Sequence, residues 1–234
     1  MVPASTIIAT LAPESKIIRH PDHMSRARPG VGRPMRAQRQ QRHEELLNVA
    51  LDIFLEKGFE QSTMEEIAIR VGMSKRTVYA RYEDKGTLFK AAVQRAIDRY
   101  TVPRDALEAV ASDDLHETLA AVAHVRIANI ARPIVIKLQR ILSAQSYRFP
   151  ELFKIAFEEG AGPTIGFLSE LFVRESAQGK INVSEPRRAA TAFLSLAVGG
   201  PARIIVSGNK MGTAEIEKHV RFAVDLFLTG VNPR

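Results

Sequence analysis

The run from Gly58 to Tyr82, GFEQSTMEEIAIRVGMSKRTVYARY, limits what this chain can fold into more than any other stretch. Thr63 followed three residues later by Glu66 has the spacing of a capping box, in which a hydroxyl and a carboxylate satisfy two of a helix's unpaired N–H groups. Ile67, Ala68 and Val71 then form one apolar stripe at helical spacing. Gly72 stands where that helix must stop and the chain needs a positive φ, which glycine adopts without steric cost. Ser74 is placed to cap a second helix. In it Val78 and Tyr82, four apart, turn inward and leave Lys75, Arg76, Thr77, Tyr79 and Arg81 outside. Spacing alone does not separate a helix-turn-helix from an ordinary helical hairpin. The Ser-Lys-Arg-Thr start favours the former, because a recognition helix needs donors at its first turn, where side chains meet base edges in the major groove.

Charge points the same way. The formal net charge is +7 over 234 residues. Residues 1–100 hold 17 Lys and Arg against 12 Asp and Glu, while residues 101–234 hold 16 against 14. The basic excess therefore sits beside the helix-turn-helix, as expected where cations replace the counterions condensed on nucleic acid. Cysteine is absent, which excludes a structural disulfide, a thiol switch and a Cys-ligated metal site. Nor does any run approach the ~20 apolar residues a spanning helix requires. The mildly apolar stretch from Met1 to Leu11 lacks a basic region before it and is bracketed by Pro3 and Pro13, unlike a secretory signal. A soluble, cytoplasmic protein with no membrane partner is expected.

Punctuation along the chain divides it into three parts. Residues 1–35 carry five prolines and no sustained period, the signature of a flexible basic extension. Its Gly32-Arg33-Pro34 core is similar to peptides that hook the minor groove, so Arg33 and Arg36 are candidates for that contact. Residues 36–100 form the helix-turn-helix domain. Its first helix, expected over 36–57, carries Leu46, Leu47, Ala50, Ile53 and Phe54 on one side, and its fourth follows a cap at Asp84. Residues 101–234 continue in helical periods without strand alternation. Helices are expected near 104–112, 114–131, 133–148, 150–159, 161–179, 186–207 and 213–230, so the fold class is all-α.

The run from Phe59 to Phe89, with Thr63, Ile67-Ala68, Gly72, Ser74, Thr77-Val78-Tyr79, Tyr82, Lys85 and Leu88-Phe89, resembles the DNA-binding domain of the tetracycline-repressor (TetR) family. Arg76, Arg81 and Gly86 depart from residues common at those positions, the first two by adding charge. The segment from Tyr147-Arg-Phe-Pro-Glu-Leu through Glu158-Glu-Gly to Gly179-Lys-Ile resembles, more loosely, the C-terminal domain of the AefR-like branch. The resemblance implies a DNA-binding domain linked by its fourth helix to a ligand-binding and dimerisation domain. It also implies that Lys85 contacts phosphate.

Three groups of candidate residues follow. Thr63, Ser74, Lys75, Tyr79 and Lys85 would hold or frame the DNA backbone, while Arg76, Thr77 and Lys75 would read base edges. In the second domain Arg126 continues the face of Leu119, Val122 and Ile130, and Gln145 that of Leu138 and Ile141. With Tyr147, Phe153, Phe157, Phe167 and Leu171 they could line an effector pocket or, as phenylalanines at helical spacing commonly do, simply make core. The small residues Ala189, Ala192, Leu196, Gly199, Gly200 and Arg203, with Val220, Val224 and Phe227 of the last helix, are the candidate homodimer surface; the alternative is that they close the monomer's own core. His116 and His124 lie too far apart to share a metal, and no catalytic motif or cofactor fingerprint occurs. The expected function is a ligand-responsive, homodimeric repressor that binds a pseudo-palindromic DNA operator. A ligand-independent architectural DNA-binding protein is the competing reading, and a helical enzyme a distant third.

Overall fold

The computed structural model describes residues 33–231, with side chains from residue 36 onward. The expected extension before residue 33 and the Arg33 side chain lie outside that description. All regular structure among the described residues is helical, and the chain divides into two compact units, one ending at Ala92 and the other beginning at Val93.

In the first unit, α1 (Arg33–Gln61) is interrupted at Gly58, where φ is 79° and ψ 170°. A glycine there lets the chain turn at little cost, and the ensuing Phe59 swings back into the core. Helix α2 (Met64–Arg70) packs against α1, and α3 (Lys75–Tyr79) against α2. Phe54, Phe59 and Phe89 form a triangle of rings with centroids 5.0 to 6.0 Å apart. Each such pair adds about 0.5–1.5 kcal/mol to simple burial. Leu46, Ile53, Ile67, Val78 and Leu88 close the core around them. Helix α4 (Lys85–Tyr100) begins in this unit and ends in the next.

The second unit contains α5 (Arg104–Glu108), α6 (Leu115–Ile130), α7 (Pro133–Ala144), α8 (Pro150–Gly160), α9 (Gly162–Ala177), α10 (Pro186–Ala197), α11 (Gly199–Ser207) and α12 (Thr213–Val231). Helix α9 lies along α10, α10 along α12, and α12 along α6. Their shared core includes Leu119, Val122, Phe172, Phe193 and Val224, all essentially free of solvent. Several boundaries differ from the periodicity: α1 is longer than the 36–57 expected, and α5 ends at Glu108 instead of 112. The single helix expected over 186–207 is two, bent by 44° between α10 and α11. Pro201 is the physical reason: it has no N–H to return to the carbonyl four residues earlier, and its ring crowds that turn. Helix α7 ends at Ala144 instead of 148, and residues 145–148 form turns that carry Tyr147 outward. Among the described residues no single helix is long and apolar enough to cross a membrane.

Candidate functional site

The helix-turn-helix is set by its caps. Thr63 Oγ1 accepts the Glu66 N–H at 3.2 Å, and Ser74 Oγ accepts the Thr77 N–H at 3.1 Å. Gly72 sits between the two helices with φ 66°. The Glu66 carboxylate, expected to return to the first cap, instead meets Lys57 Nζ at 2.6 Å and Arg70 Nη2 at 3.5 Å. Val78 is fully buried and Tyr82 nearly so, while Lys75, Arg76, Thr77, Tyr79 and Arg81 are exposed. The Tyr82 hydroxyl lies 2.6 Å from His43 Nε2, with the two rings stacked, which ties the residue after α3 to α1. Burial raises the Tyr82 phenol above its ordinary value, so the hydroxyl stays protonated at neutral pH.

The cations of this unit divide into tethered and untethered groups. Lys75 pairs with Glu65 of α2, and the contact holds the Glu65 carboxyl below its usual range and raises the lysine. Lys85, expected to contact phosphate, is held by its own backbone here. Its ammonium donates to the carbonyls of Phe59 at 2.7 Å, Glu60 at 3.1 Å and Ser62 at 2.9 Å, and it stands 4.5 Å from the Phe59 ring centroid. With three donors on three carbonyls it caps the end of α1, and a phosphate would have to compete with those carbonyls for it. Spacing also missed a basic groove. Arg36, Arg39, Gln40 and His43 of α1 line it together with Arg81 and Tyr82, from opposite ends of the domain's sequence. The arginine run before residue 43 was the available signal, but Arg81 joins it only through the fold.

The second unit holds a cavity of about 200 Å³ between α4, α6, α7 and α8. Of the residues expected to line it, Arg126, Phe153 and Phe157 do. Val122, Phe167 and Leu171 are instead core, with relative exposures of 0%, 8% and 3%, and Tyr147 is fully exposed. Gln145 ends α7 away from the cavity, its carbonyl accepting the N–H groups of Arg148 and Phe149. Residues not anticipated complete the wall: Tyr100 and Thr101 at the end of α4, Asn129 of α6, and Leu138, Gln139 and Leu142 of α7. Phe153 and Phe157 are about half exposed, so the cavity reaches the surface between their rings. Hydrogen bonds frame it: Asn129 Nδ2 donates to the Tyr100 carbonyl at 3.0 Å, Thr101 Oγ1 to the Ile97 carbonyl at 2.7 Å, and Arg126 Nη1 to the Gly160 carbonyl at 2.9 Å.

Comparison with known proteins agrees with both units. Residues 46–92 match the family described as bacterial regulatory proteins, tetR family, and residues 117–230 match the AefR-like transcriptional repressor, C-terminal domain. The chain belongs to the TetR family. It is a DNA-binding transcriptional regulator. The transcriptional repressor BepR of Brucella suis is 26% identical over 55% of this chain and 72% of its own length. The transcriptional activator FasR of Mycolicibacterium smegmatis is 36% identical, over 30% of this chain and only 32% of that protein. The crystal structure of a protein assigned to the TetR family from Mesorhizobium loti superposes with a TM-score of 0.70 at 25% identity, covering 83% of this chain and 98% of that one. The flavonoid-responsive regulator FrrA gives 0.67 at 26%, covering 83% and 99%.

Dimerisation is typical of TetR-family regulators, and the residues expected to serve it divide between the monomer's core and its surface. Val220 and Val224 are buried in the monomer, and the Phe227 ring lies 5.3 Å from that of Phe172 and 5.2 Å from that of Phe193. All three face their own core. Gly200 faces His219 of α12 within the same chain. Ala192, Leu196 and Arg203 are exposed, Ala189 and Gly199 half-buried. Beside them Ile204, Phe222 and Leu226 present large apolar side chains to solvent, with Phe222 at 64% exposure. His116 Nε2 lies 2.9 Å from Asp225 and His124 Nε2 2.9 Å from Glu217, so both histidines bridge α6 to α12 in place of binding a metal together.

Proposed function

We propose that this TetR-family regulator is a cytoplasmic homodimeric repressor, that it binds a pseudo-palindromic operator, and that a small molecule in the second unit releases it. The observation that carries the reading is the outer face of α3, where Arg76, Thr77 and Tyr79 stand exposed on a helix whose inner residue Val78 is fully buried. In this proposal Arg76 and Thr77 read base edges and Lys75 joins them by exchanging Glu65 for DNA. Thr63 and Tyr79 hold phosphates, Ser74 frames the turn, and Arg36 and Arg33 approach the minor groove. Two copies related by a two-fold axis through Leu196, Ile204, Phe222 and Leu226 would offer recognition helices to half-sites about 34 Å apart. Repression is the sign favoured by the match to the AefR-like repressor domain and by BepR.

Ligand response follows from α4. Its first residue, Lys85, grips the end of α1, and its last turn, with Ile97 and Tyr100, walls the cavity. An effector that shifts this helix by a coupling of about 1–3 kcal/mol would change operator affinity about 5- to 150-fold. An architectural DNA-binding protein would have no use for a cavity lined by a buried cation.

Selection of bound duplexes from random DNA, paired with measurement of mass in solution, tests the reading. The expected product is an inverted repeat with half-sites one helical turn apart, bound by a dimer. An asymmetric single site, or a protein that stays monomeric when bound, overturns it.

A further inference from the structure

Arg126 lines the cavity of the second unit with its hydrogen bonding incomplete. Its Nη1 donates to the Gly160 carbonyl, but its Nε is shut off from solvent and has no hydrogen-bond partner. Among the described residues no carboxylate forms an ion pair with it. Burial lowers its pKa to about 10, with no acid to raise it again. It is nonetheless charged at neutral pH. A half-buried guanidinium with its Nε shut off from water and no counter-charge is costly, and one that lines a cavity open to the surface has an evident remedy.

We propose that the cavity takes an organic acid whose carboxylate pairs with Arg126 while its apolar body lies against Ile130, Leu138, Leu142, Phe153 and Phe157. The guanidinium fork is suited to this, because Nε and a terminal nitrogen can donate in parallel to the two oxygens of one carboxylate. A cavity of about 200 Å³ is at least large enough for a single aromatic ring or a short chain bearing the acid. Gln139, which also lines the cavity, is a further polar group for a second substituent. Pairing would compete for the hydrogen bond that ties α6 to the end of α8 at Gly160, which gives the acid a way to alter the cavity that a neutral molecule of the same shape lacks. The inference rests on reading the second unit as an effector domain, but it concerns what is bound and leaves open what binding does.

The test uses matched pairs on the full chain at neutral pH: benzoate against benzamide, and octanoate against octanamide, by calorimetric titration. At least one acid is expected to bind about 10-fold or more tighter than its own amide, as a charged hydrogen bond in a buried site requires. Arg126→Met should abolish that preference, and Arg126→Lys, which keeps the charge, should retain its sign. The unliganded melting temperature of Arg126→Met should not fall, which shows that the variant is folded. Failure of both acids to bind, equal affinity for acid and amide, or a preference that survives in Arg126→Met overturns the inference. Operator binding is measured in parallel. An acid that binds through Arg126 without changing operator affinity upholds this inference and sinks the effector role, whereas an operator response to the amides alone does the reverse.

Discussion

Lys85 and Arg126 are two half-buried cations, one in each unit, and their surroundings differ in kind. Lys85 meets three carbonyl oxygens and a phenylalanine face. Arg126 meets one carbonyl and keeps an unpartnered Nε. The first arrangement is complete: each ammonium proton has an acceptor, and the acceptors are carbonyls at the end of α1, of which that of Phe59 also accepts from Ser62 Oγ. The second is open and becomes complete only with an anion from outside. A cation satisfied by its own backbone holds the fold, while a cation without such partners beside a cavity holds something else. The DNA-facing unit thus has its buried charge committed and its exposed charge available, and the effector unit shows the opposite.

Substitution sharpens this contrast, with the largest effect at Lys85. Lys85→Met removes three charge-assisted hydrogen bonds and strands the carbonyls at the end of α1, so denaturant unfolding should show a loss of about 3 kcal/mol. The mirror change Arg126→Met removes an unsatisfied charge and should leave the unliganded stability level or slightly higher. The sign follows from the pKa: burial depresses it to about 10, so the charged form is disfavoured in the folded state at every pH below that, and the penalty is fully present at pH 7. If Lys85→Met keeps its stability but loses DNA affinity, the capping role is wrong and the phosphate contact implied by resemblance is right. Next in size is α3. Arg76→Ala should cost about 1–3 kcal/mol of discrimination at the base it reads, whereas Tyr79→Phe should weaken cognate and random duplexes alike. Equal losses on both duplexes for Arg76→Ala would remove its reading role.

The two units were unequally legible in the sequence, for a reason of scale. The helix-turn-helix is decided within a few residues: Thr63 and Ser74 cap, Gly72 turns, and Val78 with Tyr82 sets the inner face. Each of those signals acts over four positions or fewer. The cavity is assembled from four helices, and periodicity supplies apolar faces without saying which neighbour each one meets. Phe167 and Leu171 share a helical stripe as a pocket wall would, yet that face is core. Tyr147 was lost because α7 stops three residues before it. Arg126 survived as a pocket residue because a cation continuing an apolar face is unusual in any packing. In α12 the apolar stripe was real, but a stripe records burial and not the identity of what buries it. Val220 and Val224 go to the monomer, while Phe222 and Leu226, off that stripe, remain outside. The carbonyls that hold Lys85 were illegible for the same reason, since they lie more than twenty residues earlier in the chain.

The smallest expected effect is at Lys75, the one residue of the recognition surface that is tethered as Lys85 is and exposed as Arg76 is. Its partner Glu65 is solvent-exposed, so the pair adds little to stability, and Glu65→Gln should leave the unfolding midpoint unchanged. Its consequence lies in binding. DNA must compete with Glu65 for the ammonium and must approach a carboxylate on the same face. Removing that charge should raise affinity for any duplex by about two- to five-fold at low salt, the range of an exposed ion pair, and the gain should fade as salt screens it. The pair itself does not titrate in the working range: Lys75 holds the Glu65 carboxyl below 4.5. A depressed acid keeps its interaction above its unfolded pKa and loses it only as pH falls through the folded value. Any pH dependence of DNA binding between 6 and 8 must therefore come from elsewhere. If Glu65→Gln instead weakens binding, the carboxylate aims Lys75 at the DNA and does not hold it back, and the tethered cation of this surface belongs with Lys85 among the structural ones.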